Sequence, residues 1–326
     1  MVRSRIRGTG SAVPDKVLTN SDMEKIVDTS DEWIITRTGI KERRVAVEGE
    51  YTSTFATAAA ERALQMAGIG AEEIDLIVVA TVTPDFPFPA TACLVQNNLK
   101  AVNAAAFDIA AACSGFLYAL SVVDKFVKTG AVKKALVIGA EVLTRIVDWT
   151  DRNSCVLFGD GAGAVVIEAE AGENGILSTH IHSDGSYWEL LHQPACGNRN
   201  PASLKVLDER LMFLRMQGNE VFKLAVRAME DAAHEALAAN DMKTTDINFF
   251  IPHQANRRII DAIGKRLGIA DEQLVVNLEN YGNTSSASIP IALDEINRNS
   301  KIKQDDILLL DSFGGGLTWA SSLMRW

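Results

Sequence analysis

No segment of this 326-residue chain approaches the roughly 20 consecutive apolar residues that a membrane-spanning helix needs. The amino terminus, Met1-Val-Arg-Ser-Arg-Ile-Arg7, has positive charge but no apolar stretch behind it, so no secretory leader is expected and the cytoplasm is. A basic excess is missing too. The net charge is −10, whereas nucleic acid demands a dense basic surface to displace phosphate counterions. None of Cys93, Cys113, Cys155 and Cys196 stands at paired metal-ligand spacing, and a chain this long needs no disulfide, so free thiols and no metal site are expected. No close CxxC gives Cys113 a resolving thiol, which leaves redox sensing unsupported. Signs of disorder are absent: 47% hydrophobic and 23% charged content describes a folded chain with material for one large core or two fused ones.

No Pro/Gly/Ser-rich linker divides the sequence, yet its two halves echo each other, a signal that precedes any element assignment. Ile74–Ala80 matches Ile247–His253 at an offset of 173, and Ala135–Ala140 matches Ile307–Ser312 at 172. Between them, the stretch ending in Ala119-Leu120 matches that ending in Ala292-Leu293, again at 173, which places Cys113 opposite Ser286. Short Val/Ile/Leu runs alternate with alanine-rich helical segments, Ser53 to Met66 and Glu220 to Ala239 among them, as expected for strands buried between helix layers. The expected architecture is α/β: two β-α-β-α halves, 1–172 and 173–326, packed face to face.

What is present is chemically pointed. In Phe107-Asp-Ile-Ala-Ala-Ala-Cys113-Ser-Gly-Phe-Leu-Tyr-Ala-Leu120 an apolar run breaks at a small-residue elbow and resumes with helical periodicity. A thiol at a helix start is expected to have a lowered pKa, since the dipole and free N–H groups favour thiolate. Two further motifs are Pro252-His253-Gln254-Ala255-Asn256 and Tyr281-Gly282-Asn283-Thr284-Ser285-Ser286-Ala287-Ser288. A thiolate exchanges acyl groups with a thioester at near-equal energy, giving an acyl-enzyme. His and Asn can both donate hydrogen bonds to a thioester carbonyl while carbon dioxide departs, and Asn cannot be a base. Decarboxylation makes a carbanion without proton abstraction, so two neutral donors suffice.

Cys113, His253 and Asn283 in these contexts and this order resemble the β-ketoacyl-[acyl-carrier-protein] synthase III family of the thiolase-like superfamily. The resemblance runs from Gly8-Thr-Gly10 through Asp28-Thr-Ser-Asp-Glu-Trp33-Ile-Ile-Thr-Arg37-Thr-Gly39, Phe158-Gly-Asp160-Gly-Ala-Gly163 and Gly218-Asn219-Glu-Val-Phe222 to Ser312-Phe-Gly314-Gly-Gly316. It implies a five-layered αβαβα fold of two duplicated halves. It also implies an acyltransferase that condenses a short acyl-CoA primer with malonyl-acyl-carrier protein, initiating fatty-acid synthesis without a cofactor, coenzyme A thioester being a substrate. By motif position the backbone amides of Cys113 and Gly315 form the oxyanion hole, and Trp33, Arg37 and Arg152 hold the adenine of coenzyme A, since indole and guanidinium planes stack on a base. Asn219 contacts the pantetheine arm. Lys223, Gln254, Arg258, Lys265 and Arg266 receive the acidic carrier protein; from charge alone the cations on that segment read as a solvated face beside an Ile259, Ile263, Leu267 stripe. Phe88 reaches across a homodimer into the partner's acyl pocket.

Other readings compete. A synthase-like acyltransferase of secondary metabolism would keep the same three residues, and a non-catalytic acyl-CoA-binding paralogue would keep the fold but lose nucleophile or donors. Phe158–Gly163 looks like a nucleotide loop but runs into the strand-like Ala164–Glu168, so the dinucleotide fingerprint fails and a tight turn near the elbows is expected. His180-Ile-His182 has no further metal spacing nearby. The stretch between Tyr187 and Gln217 matches nothing clearly, and the primer stays open among acetyl, a branched short acyl or a longer group.

Overall fold

The computed structural model describes residues 2–326, and two sheets organise it. The first contains β1 (Val2–Ala12), β2 (Leu76–Ala80), β3 (Ala105–Ile109), β4 (Lys134–Glu141) and β5 (Gly161–Ala171), in the spatial order β1-β5-β4-β2-β3. The second contains β6 (Gly175–Ser183), β7 (Phe249–Pro252), β8 (Ile307–Gly314) and β9 (Thr318–Arg325), in the order β7-β8-β9-β6. The order β1-β5-β4-β2 thus recurs as β6-β9-β8-β7. Inside each set the pairs β2·β4 and β7·β8 are parallel and the remaining pairs antiparallel.

Residues on β4 explain the layering. All but Lys134 are buried, with Ala135 and Val137 in one apolar cluster and Leu136 and Ile138 in another, so the two-residue period of the strand serves two cores at once. The inner cluster holds the helices Gly115–Lys128 and Ser288–Arg298, which touch both sheets. Outside, Thr52–Ala67 and Thr91–Leu99 cover the first sheet, and Gly218–Ala238 and Arg257–Leu267 cover the second. The result is a five-layered αβαβα stack.

Small side chains set the distances between layers. Ala56, Ala59, Ala60 and Ala63 are wholly buried on the Thr52–Ala67 helix, and opposite them a Cβ at Gly8 or Gly10 of β1 would fall 2.3 Å from Ala63 O or 2.2 Å from Ala59 O. Gly8-Thr-Gly10 is therefore a packing motif. The helix ends at Gly68 in the left-handed conformation (φ 66°), one residue beyond the expected end. Lys125 and Lys128 occupy the last turn of the central Gly115–Lys128 helix, where cations suit its dipole, and both reach the buried Asp124 at 3.0 and 2.8 Å.

Strand register corrects one detail of the repeat. Leu76 pairs with Ala135 and Phe249 with Leu308, so β4 and β8 are related by 173 residues, like the other pairs, and not by 172. On that register Cys113 corresponds to Ser286, His253 to Ala80 and Gly314 to Glu141.

Candidate active site

Cys113 sits in a single 3-10 turn, Ala112–Ser114, between β3 and the central helix that starts at Gly115. Ala112 takes the left-handed conformation (φ 46°), which turns the chain sharply enough to aim the next side chain inward. Ser114 Oγ donates to Thr318 O at 3.1 Å and Thr318 Oγ1 to Ala111 O at 2.9 Å, anchoring the elbow on β9 of the other half. The Gly314–Gly316 turn lies against it: a Cβ on Gly314 would stand 2.6 Å from Cys113 N. Glycine here lets backbone meet backbone, and Gly315 lines the same cavity as the thiol.

His253 follows β7 directly and is buried. Its backbone N–H donates to Asp311 O at 2.8 Å, and its Nδ1 lies 2.7 Å from Ser288 Oγ. That hydroxyl also accepts from Gln254 N at 3.3 Å; when it gives its own proton to Nδ1, the imidazole proton sits on Nε2. Burial holds the imidazole down to about 3, so the ring is neutral. Asn283 is pinned by its backbone, donating to Leu157 O at 2.8 Å and accepting from Gly159 N at 3.1 Å. Its Oδ1 accepts from Ser285 N at 2.8 Å, while Nδ2 has no protein partner among the described residues. The amide thus presents its donor end. Phe158–Gly163 supplies this clamp: a Cβ at Gly159 would be 2.2 Å from Tyr281 O.

The thiol departs from expectation. Burial pushes Cys113 up to about 12, opposed by a hydrogen bond from Ser285 and reinforced by Glu141 whenever that carboxyl is ionised. Enclosure in low dielectric outweighs the helix-start effect, and the resting sulphur holds its proton.

Cys113, Gly315 and Ser285 share a cavity of ≈ 160 Å³ whose other walls are mostly apolar, including Val82, Leu143, Phe158, Leu191 and Leu214. His253 and Asn283 lie outside that lining. Leu191, His192, Gln193 and Leu214 come from the stretch that no sequence pattern resolved, and there a short pairing of Leu191–His192 with Arg215–Met216 folds it over the cavity mouth. Glu141, wholly buried at the end of β4, was also missed; an acid closing an otherwise apolar strand was the available signal.

Farther out, Arg152 Cζ lies 4.8 Å and Arg37 Cζ 6.0 Å from the Trp33 ring, so these three do come together. Asn219, Lys223, Arg258, Lys265 and Arg266 are exposed; Arg258 lies over Phe222 at 5.5 Å, while Lys223 pairs with Glu220 and Arg266 with Glu230. Gln254 does not belong with them. It is 1% exposed, and its amide donates to Pro252 O and Val275 O and accepts from Asn277 N, so no carrier protein can reach it. The stripe on the Arg257–Leu267 helix is likewise shifted: Ile260, Ile263 and Leu267 are buried and Ile259 only half-buried. Phe88 is 85% exposed on the loop after β2 and contributes nothing to the cavity of its own chain. Among the described residues no three His, Cys, Asp or Glu side chains gather as a metal site, and no helix is long and apolar enough to cross a membrane.

A duplicated αβαβα fold with a cysteine elbow facing the opposite half defines the thiolase-like class. Residues 107–185 match the family model described as 3-oxoacyl-[acyl-carrier-protein] synthase III, and residues 237–326 match its C-terminal counterpart. The beta-ketoacyl-[acyl-carrier-protein] synthase III of Xanthomonas campestris pv. campestris is 56% identical over 325 residues, covering 100% of this chain and 99% of the relative; that of Natranaerobius thermophilus is 54% identical over 329 residues and 100% of both. The crystal structure of 3-oxoacyl-[acyl-carrier-protein] synthase III from Aquifex aeolicus VF5 superposes with a TM-score of 0.93 at 52% identity, covering 99% of this chain and 100% of that one. The chain belongs to the 3-oxoacyl-[acyl-carrier-protein] synthase III family.

Proposed function

We propose that the protein joins a short acyl-CoA primer to malonyl-acyl-carrier protein by decarboxylative Claisen condensation, giving a β-ketoacyl-acyl-carrier protein and initiating fatty-acid synthesis. In the first half-reaction the Cys113 S–H bond is replaced by S–acyl, the acyl–sulphur bond of coenzyme A breaks, and the proton leaves on the coenzyme A thiol. In the second, the malonyl C–CO₂ bond breaks, His253 Nε2–H and Asn283 Nδ2–H hold the enolate oxygen, and the carbanion attacks the acyl-Cys113 carbonyl. The new C–C bond releases Cys113 as thiolate, which takes up a proton from water to restore the thiol, and the amides of Cys113 and Gly315 hold the oxygen that becomes negative on the way. Nothing in this cycle calls for a resident cofactor. One observation carries the reading above all: both candidate donors are buried and neutral, with Asn283 Oδ1 and His253 Nδ1 already occupied, so what each has left to offer is N–H.

The small volume beside the thiol supports a short primer. Trp33, Arg37 and Arg152 would receive the adenine, Asn219 the pantetheine arm, and Lys223, Arg258, Lys265 and Arg266 the acidic carrier. Phe88, too exposed for an isolated monomer's interest in burying apolar surface, would enter the partner's pocket in a homodimer. The halves divide at 172/173, and the enzyme would work in the cytoplasm.

Intact-mass spectrometry after exposure to acetyl-, isobutyryl- and octanoyl-CoA, with Cys113→Ser as control and a malonyl-carrier-protein chase, tests this. The expected result is a mass gain on wild type alone, discharged with release of carbon dioxide. A gain that the chase leaves in place would instead favour simple acyl transfer.

A further inference from the structure

Glu141 is the buried acid that this chemistry leaves unused, and its surroundings are specific. Thr81 Oγ1 and Thr83 Oγ1 reach Oε2 at 3.2 and 2.5 Å, and Val82 N lies 3.2 Å from the same oxygen. Ser285 Oγ and Ser286 Oγ lie 3.2 and 3.0 Å from Oε1. The two threonine hydroxyls are donors here, since each accepts a backbone N–H: Thr81 Oγ1 from Thr83 N at 3.1 Å and Thr83 Oγ1 from Val142 N at 2.9 Å. Ser286 Oγ is different. It lies 2.8 Å from Ala80 O as well as 3.0 Å from Oε1, two acceptors for one proton, so when the hydroxyl donates to Ala80 O the contact with Oε1 is completed only by a proton on Glu141. A protonated Glu141 satisfies both Ser286 contacts at once, in keeping with burial, which raises the carboxyl to about 7.

Ser285 Oγ, 3.2 Å from Oε1, lines the same cavity as Cys113, so once Oε1 carries a proton of its own the Ser285 hydroxyl is free to turn to the Cys113 sulphur, where it favours thiolate. The internal repeat gives the same residue a history in the fold. Ser285 (φ 50°) occupies the place of Ala112 (φ 46°) and Ser286 that of Cys113, so the Ser285–Ala287 turn is a second elbow without a nucleophile. On the first elbow the neighbouring strand brings Gly314, which leaves the Cys113 amide free; on the second it brings Glu141, whose side chain fills the equivalent space.

We propose that Glu141 is a positioning residue for the condensation: a buried carboxylic acid that clamps the Asn283–Ser286 turn against the Cys113 turn and reserves the Ser285 hydroxyl for the Cys113 sulphur. This rests on the reading of Cys113 and Asn283 as condensing residues. The titratable group facing Glu141 is Cys113; the turns at 81–83 and 285–286 present only hydroxyls and amides. Ionised Glu141 would draw the Ser285 proton to itself and repel a thiolate, so the thiol would lose its support as pH rises past neutrality.

Glu141→Gln keeps the shape, with an N–H₂ for Ser286 and a carbonyl for the threonines, but cannot ionise. Rates of Cys113 alkylation by iodoacetamide, measured from pH 6 to 9 on wild type and variant, should agree within twofold at pH 6 and diverge by at least threefold at pH 9, the variant being faster. Adding Ser285→Ala to Glu141→Gln should remove most of that gain. Superimposable profiles would overturn the proposal, as would a slower variant at pH 9. Should Glu141→Gln not fold, Ser285→Ala alone serves: it must slow alkylation of an otherwise folded protein most at low pH, and a uniform slowing at every pH would count against the coupling. Alkylation needs no thioester, so a failure here with wild type still turning over malonyl-carrier protein is distinct from a failure of the condensing reading.

Discussion

At the scale of single residues, the site is built from groups forced into one protonation state by burial. His253 makes this measurable through stability. Its imidazole is held down to about 3 in the fold, whereas in the unfolded chain it titrates near its ordinary 6.5. Between these values the unfolded state binds a proton that the native state refuses, so the contribution is present above 6.5 and lost as pH falls toward 3. Glu141 has the opposite sign: its carboxyl is raised from 4.5 to about 7, so its contribution is present below 4.5 and lost as pH rises to 7. Comparing His253→Gln with wild type at each pH cancels Glu141. The melting temperature of the variant relative to wild type should climb by a few degrees from pH 7 to pH 4.5; a constant difference would mean that the native ring charges freely. The proposed trio stood out in the sequence because each member sits in a motif whose chemistry is its own. Glu141 and Gln254 did not, because their environments depend on partners brought from 58 to 145 and from 2 to 23 positions away.

At the scale of elements, two sharp turns carry the site, and glycine decides how closely they approach the strands. Gly314→Ala would put a methyl group 2.6 Å from Cys113 N and 3.1 Å from Ser114 N, against backbone that cannot swing aside. We expect a destabilisation of ~1–3 kcal/mol, read from the urea midpoint, together with slower acetyl transfer to the thiol. Gly185→Ala, with nothing within 4 Å, is the control and should leave both unchanged. Helices and strands were largely readable, since alanine stripes and Val/Ile/Leu runs report burial directly. Their ends were not, and neither was the Leu191–Arg215 wall of the cavity: its two-residue strands are too short for any period, and their pairing joins residues about twenty positions apart.

At the scale of the whole molecule, duplication is the organising fact. Each half repeats the same strand order, but Cys113 stands on the elbow of one, whereas His253 follows a strand end and Asn283 precedes the elbow of the other. The repeat was visible in sequence because strands buried on both faces leave apolar runs at a fixed offset; the true register of β8, one residue from the sequence match, was not, because an apolar run has no internal landmark and only pairing fixes register. We propose a division of labour between the halves: the thiol of the first takes the acyl group, and the two neutral donors of the second make the carbanion. The most direct measurement is of both half-reactions in His253→Ala and Asn283→Ala, following acetyl transfer from acetyl-CoA by intact mass and carbon dioxide release from malonyl-carrier protein. Both variants should accept the acetyl group to the extent of wild type yet release carbon dioxide ~10²–10³-fold more slowly. Decarboxylation at the wild-type rate in either variant, or failure of both to become acetylated at all, would contradict the account.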